Sequence, residues 1–151
     1  MTMRFGYIAA ISFVATIISS TILYAEASMR SIWDGVYTNA QADHGKVLYS
    51  NYCAKCHGGT LDGADEIPGL KGSNFMADWE TESVADLVTR IHSTMPMDNP
   101  GALSISSATD LVAYLLQQNQ MAAGNTDLPA DLGILSQIRI DAEKPSTTLT
   151  R

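Results

Sequence analysis

The most constraining feature of the sequence is the pentapeptide Cys53-Ala54-Lys55-Cys56-His57, which contains both cysteines of the 151-residue chain. This Cys-x-x-Cys-His pattern is typical of the covalent attachment of a c-type haem. The two thiols form thioether bonds to the porphyrin, and the histidine that follows becomes an axial ligand of the iron. Two cysteines three positions apart lie on one side of a helical turn and can reach two edges of a flat ring. The motif therefore predicts a fold built around one covalently attached haem.

Three other interpretations of the motif explain less of it. A thioredoxin-like Cys-x-x-Cys lies near a βαβ pattern, which the sequence lacks. A structural zinc site needs four ligands, usually with a second Cys/His pair nearby, and the remaining histidines, His44 and His92, are not paired. A plain disulfide does not call for His57. Haem attachment is the interpretation that uses all three residues.

The N-terminal segment, residues 1–27, predicts export. No charged residue occurs between Arg4 and Glu26, and Ala25-Glu26-Ala27 has the small-x-small pattern of a signal-peptidase site, with cleavage before Ser28. We expect a periplasmic location, which suits covalent haem. An uncleaved anchor in the inner membrane is the alternative, because a spanning helix needs about 20 residues.

The formal net charge of −7 limits the possible partners. An acidic surface disfavours nucleic acid and anionic membrane surfaces. It suits a redox protein with a basic docking patch, because complementary fields raise the rate of encounter.

Periodicity predicts an all-α fold, since no segment reads as a convincing strand. Apolar residues at helical spacing predict three main helices, at 41–52, at 82–93 with Thr81 as its cap, and at 105–118 with Ser104 as its cap. Glycines and prolines predict a loop over 58–74. The spacing of Leu128, Leu132, Leu135 and Ile138 predicts a short tail helix that packs on the body.

The sixth iron ligand distinguishes electron transfer from ligand chemistry. We favour Met95, because Pro96 pushes it towards an extended conformation and a thioether favours ferrous iron. Met97 and His92 are alternatives. Three further residues are expected to pack or to lie in solvent instead: Met76, Met121 and His44.

These motifs resemble those of the class I c-type cytochromes, which are small mono-haem electron carriers. The matching pieces are Gly45-Lys46-x-Leu48-Tyr49, Cys53-x-x-Cys56-His57-Gly58, Ile67-Pro68-x-Leu70-x-Gly72, Thr94-Met95-Pro96 and the run 111–115. Within that class the chain is similar to cytochrome modules associated with quinoprotein (PQQ) dehydrogenases, which share the lead-in 33–38 and a tail ending near 138–140.

We expect a cytochrome c domain at 41–122, after a lead-in at 28–40 and before an extension at 123–151 that packs on the domain and whose end is expected to be disordered. The resemblance itself covers about residues 32–140. It implies that Gly45 meets Tyr114 where the first and last helices cross. The Pro68 carbonyl is expected to accept a hydrogen bond from the second imidazole N–H of His57. Leu70 and Phe75 are expected to pack on the haem. The Trp79 indole is expected either to donate to a haem propionate or to be an ordinary buried tryptophan.

The resulting hypothesis is a periplasmic electron carrier with His57 and Met95 as axial ligands, rather than an enzyme. Its donor and acceptor are expected to be redox proteins, for example a quinoprotein dehydrogenase and a terminal oxidase. A membrane-anchored subunit of a dehydrogenase or oxidase complex is the first alternative. A haem peroxidase is the second, and it would need an open sixth position.

Overall fold

The structure, a computed structural model, describes residues 29–145. In chain order its elements are β1 (Arg30–Ser31), α1 (Asn39–Tyr52), α2 (Ala54–His57), α3 (Gly72–Trp79), α4 (Val84–Thr94), α5 (Ile105–Gln118), α6 (Leu132–Leu135) and β2 (Ile138–Arg139). The mostly helical architecture confirms the predicted fold class. No helix within 29–145 is long and apolar enough to cross a membrane. The predicted signal peptide or anchor, residues 1–27, lies outside the described residues.

The helices α1 and α5 cross at close range, and this contact organises the fold. A Cβ atom at Gly45 would lie 1.9 Å from the carbonyl oxygen of Asp110 and 2.9 Å from Cβ of Tyr114, so only glycine fits. One turn further along, the rings of Tyr49 and Tyr114 pack with their centroids 5.4 Å apart. The predicted meeting of Gly45 with Tyr114 is confirmed.

Helix α4 begins two residues later than the sequence analysis predicted. Ser83, not Thr81, is the N-cap: its hydroxyl accepts from the Asp86 backbone N–H, and the Asp86 carboxylate accepts from the Ser83 N–H. This reciprocal pair is a capping box. Thr81 lies before the helix with a φ of 76°.

The predicted loop at 58–74 is also too long, because α3 begins inside it at Gly72. Phe75 is 1 % exposed, and its burial holds this short helix on the core. Propensity alone did not reveal α3, since tertiary contacts rather than local preference fix so short a helix.

The segment after α5 packs on the rest of the protein as a short helix followed by a short strand. Only Leu132–Leu135 is helical, and the chain then forms a parallel pair between β2 and β1, in register Arg30 with Ile138. The expectation of no strand is therefore wrong at this point. Leu135, Ile138 and Ile140 are all buried, so the tail is part of the core.

The side chain of Gln41 fixes the start of this tail. Its amide nitrogen donates to the Leu128 carbonyl at 3.0 Å, and its amide oxygen accepts from the Leu128 N–H at 2.8 Å. Gln41 is buried, so water does not hydrogen-bond its amide. The two bonds to Leu128 satisfy both polar groups of the amide instead.

Candidate haem site

A cavity of about 1040 Å³ lies between the end of α1, the turn α2 and the helices α3, α4 and α5. Pockets for small molecules usually measure about 300–1,000 Å³, so this one suits a large ligand. Its apolar wall includes Leu70, Trp79, Leu87, Ile91, Leu111 and Leu115. Four of these lie at helical spacing on one face of α4 or α5: Leu87, Ile91, Leu111 and Leu115.

The attachment turn, residues 53–57, brings the whole motif to this cavity. Cys53 caps the end of α1 and the start of α2, and Cys53, Cys56 and His57 all line the cavity. Cys53 is part-buried and Cys56 is exposed, and both are free thiols. The cavity therefore brings two thiols and one imidazole to the same apolar wall.

Burial, followed by the nearby Cys56, raises the pKa of the Cys53 thiol to about 11. Cysteines of redox-active Cys-x-x-Cys motifs have a lowered pKa, because the thiolate is the reactive form. The raised pKa of Cys53 therefore argues against a thiol–disulfide exchange motif.

The ring of His57 is oriented by the loop that follows it. Its Nδ1 lies 2.9 Å from the carbonyl oxygen of Pro68. Since a carbonyl can only accept, Nδ1 carries the proton and Nε2 is left free as a donor of electrons to a metal. Such a partner fixes the orientation and the basicity of a ligating histidine. The predicted contact between His57 and Pro68 is confirmed.

Met95 reaches the same cavity from a different element. It caps the C-terminus of α4 with extended dihedral angles, φ −120° and ψ 148°, as its position before Pro96 predicted. Its N–H donates to the Ile91 carbonyl at 3.0 Å. Met97 also borders the cavity but is 75 % exposed.

The other predicted residues separate into two groups. Leu70 and Trp79 line the cavity, whereas Phe75 is buried in the core and does not. His92 is not on the cavity wall, and its Nδ1 lies 2.6 Å from the Leu103 carbonyl. Three residues lie elsewhere, as expected: Met76 part-buried, Met121 buried and His44 exposed.

The charged rim of the cavity is acidic. Five carboxylates border it, and only two cations, Lys55 and Arg90, do so; the carboxylates are Glu66, Asp78, Glu82, Asp86 and Asp98. Lys55 and Asp98 form an ion pair across the rim. Their hydrogen bond lowers the pKa of Asp98 and raises the pKa of Lys55.

Sequence comparisons identify the family. The profile of cytochrome c oxidase, cbb3-type, subunit III matches residues 40–115, which contain the attachment turn and Met95. The chain is also 34 % identical over 82 residues to cytochrome c6 of Synechocystis sp., a match that covers 52 % of this chain and 67 % of that protein. The chain belongs to the class I c-type cytochromes.

The fold agrees with this family. The crystal structure of the sulfane dehydrogenase SoxCD from Paracoccus pantotrophus superposes with a TM-score of 0.51 over 79 % of this chain and 75 % of that one. At 17 % identity, this likeness concerns the fold alone. As a class I cytochrome, the chain binds haem c and transfers electrons to and from redox proteins as a carrier, not as an enzyme.

Besides the Lys55–Asp98 pair, a hydrogen bond beside the attachment turn was not predicted. The hydroxyl of Tyr49 donates to the Gly58 carbonyl at 2.6 Å, directly after the motif. Tyr49 lies four residues before Cys53, and this helical spacing was the available signal. The bond ties the attachment turn to the crossing of α1 and α5.

Proposed function

We propose that this cytochrome carries one electron at a time through a single haem, bound covalently by Cys53 and Cys56 and ligated by His57 and Met95. The observation that carries the proposal is that these four side chains, from two separate elements, line one large apolar cavity. These residues suit a haem, because two thiols, an oriented imidazole and a thioether all border the same cavity.

The haem supplies the redox centre, and the protein's residues control it. The Pro68 carbonyl holds the His57 ring with Nε2 available. Leu87, Ile91 and the other apolar residues exclude water from the ring, which raises the reduction potential. If His57 and Met95 both held the iron, no position would remain for oxygen or peroxide, and the chemistry would be limited to electron transfer.

We further propose that the protein acts in the periplasm after removal of residues 1–27. The acidic rim supports docking to a redox partner with a basic patch, since complementary charge mainly accelerates encounter. A quinoprotein dehydrogenase as donor and a terminal oxidase as acceptor are proposals that rest on the resemblance of the lead-in and tail.

A membrane-anchored subunit of an oxidase or dehydrogenase complex is the second candidate. The match to the profile of an oxidase subunit favours it. The N-terminal residue of the exported protein discriminates the two: Ser28 supports the free carrier, and Met1 supports the anchored subunit.

The test of the main proposal is export together with haem-maturation machinery, followed by intact mass and an optical spectrum. We expect the mass of the polypeptide plus one haem, resistant to acid extraction. Ferric protein should show the weak far-red absorption of iron bound to methionine sulfur. A mass without haem would overturn covalent attachment, and a spectrum without the far-red band at neutral pH would overturn Met95 and favour an open site.

A further inference from the structure

The segment that bears Met95, residues 95–103, is held mainly at its two ends; we call it the Met95 loop. At one end Met95 caps α4. At the other end Leu103 is buried and its carbonyl accepts from His92. Between them the backbone bonds are local, from Asn99 to Pro96 and from Ala102 to Asn99.

The middle of the loop reaches the rest of the protein through one polar contact. The ammonium of Lys55 pairs with the carboxylate of Asp98. Within the part of the chain that the structure describes, it is the single hydrogen-bonded or ionic link from 96–102 to another element. Lys55 lies between the two cysteines of the attachment turn, so the pair joins the segments that carry His57 and Met95.

We propose that Lys55 and Asp98 form a strap that holds the Met95 loop against the attachment turn and keeps the sixth position of the iron closed. The inference rests on the proposed function, in which Met95 is the sixth ligand. Lys55 and Asp98 are positioning residues, because they act on the loop and not on the iron.

The size of the effect follows from exposure. The two side chains are 55 % and 61 % exposed, and exposed ion pairs contribute little to stability. A strap of that strength changes the opening equilibrium of the loop by at most about fivefold. Salt should weaken it, because a Debye length of about 3 Å at 1 M screens exposed charges.

The experiment is an imidazole titration of the ferric holoprotein, followed by loss of the far-red band. Lys55→Glu and Asp98→Lys should each raise the apparent affinity for imidazole, by at most about fivefold, at low salt. The double variant Lys55→Glu with Asp98→Lys restores an opposite-charge pair and should return the affinity towards that of the wild type. In 1 M salt the single variants and the wild type should converge.

A matched control is provided by the Lys71–Asp62 pair, with atoms 3.0 Å apart and similar exposure, which does not involve the Met95 loop. Lys71→Glu makes the same charge change as Lys55→Glu and should leave imidazole affinity unchanged. Because Lys55 lies inside the attachment motif, Asp98→Asn gives an independent test if maturation of the Lys55 variant fails.

The outcomes separate the two proposals. Equal affinities in Lys55→Glu, Asp98→Lys and the wild type, or a double variant that binds imidazole more tightly than either single variant, would overturn the strap. An equal change in Lys71→Glu would also overturn it, because the effect would then be one of net charge. A wild type that has no far-red band before imidazole is added contradicts Met95 ligation itself.

Discussion

The two segments that bring ligands to the cavity are held in different ways. The attachment side, residues 53–70, is fixed by backbone carbonyls: the Gly58 carbonyl accepts from Tyr49 and the Pro68 carbonyl from His57. The Met95 side, 84–103, has one such bond, from His92 to the Leu103 carbonyl, and depends otherwise on a capped helix and on an exposed ion pair. Such a division makes the attachment side the rigid half of the site and the Met95 side the half that can open.

The largest effect is expected when the thioether of Met95 is removed. Met95→Ala should abolish the far-red band and open the sixth position to imidazole. The reduction potential should fall by on the order of 100 mV, within the range of about 0.8 V that ligation and environment set. Visible spectra and a redox titration measure both effects.

Met97→Ala is the matched control, because Met97 is on the same loop but largely exposed. It should keep the band and the potential of the wild type. If Met97→Ala loses the band and Met95→Ala keeps it, the ligand assignment is reversed.

The second test compares one glycine from each side. Gly63 and Gly101 both have left-handed φ values, 74° and 79°, so alanine at either costs about 1–2 kcal/mol. At Gly63 the new Cβ would also lie 2.3 Å from the Ile67 carbonyl oxygen, whereas at Gly101 it meets nothing within 4 Å.

We therefore expect Gly63→Ala to destabilise the holoprotein by about 2–5 kcal/mol in total, because overpacking adds about 1–3 kcal/mol to the backbone strain. Gly101→Ala should cost only the backbone strain. Denaturant unfolding followed by circular dichroism measures the free energy of unfolding of each. Equal losses would mean that the attachment side can yield as easily as the Met95 loop, contrary to the proposed difference.

The sequence predicted the parts of this site that depend on local pattern. The motif at 53–57, the cap Ser104 and the extended conformation of Met95 each follow from neighbours in sequence. The start of α4 was recoverable as well. Ser83 has Asp86 at the third helical position for a capping box, whereas the corresponding residue for Thr81 is Val84.

The remaining features depend on contacts between distant residues. Lys55 and Asp98 are 43 positions apart, and nothing in either segment selects that partner. Helix α3 is fixed by the burial of Phe75, not by propensity. The alternation of buried Ile138 and Ile140 around exposed Arg139 is a strand signal, but helical spacing of the preceding leucines obscured it.

The third test removes one hydrogen bond from each side. Tyr49→Phe leaves the Gly58 carbonyl without its donor, and His92→Phe does the same for the Leu103 carbonyl. Each should cost about 1–2 kcal/mol of stability. Only His92→Phe should narrow the pH range over which the far-red band persists, because only it loosens the Met95 loop. A narrower range in Tyr49→Phe alone would contradict the comparison.

The smallest effect concerns the caps. Ser83→Ala and Ser104→Ala each remove a serine N-cap, from α4 and from α5 respectively, and each should cost about 1 kcal/mol. Since Met95 follows α4, Ser83→Ala should also raise imidazole affinity slightly, while Ser104→Ala should not. Thermal unfolding and the imidazole titration distinguish the two effects, and an equal response to imidazole would argue against a special role for α4.

The cap of α4 also gives the Met95 side its own acid sensitivity. Hydrogen bonds from Ser83 lower the pKa of Asp86 below its ordinary value of 3.8. A carboxylate with a lowered pKa contributes stability that is complete above the unfolded value and is lost as pH falls through the folded one. Asp86→Asn should therefore flatten the fall in stability below about pH 4, by a small amount because Asp86 is exposed. The free energy of unfolding is measured by denaturant between pH 5 and 3. If its slope against pH is the same in Asp86→Asn and the wild type, the charge of Asp86 in the capping box does not contribute to stability.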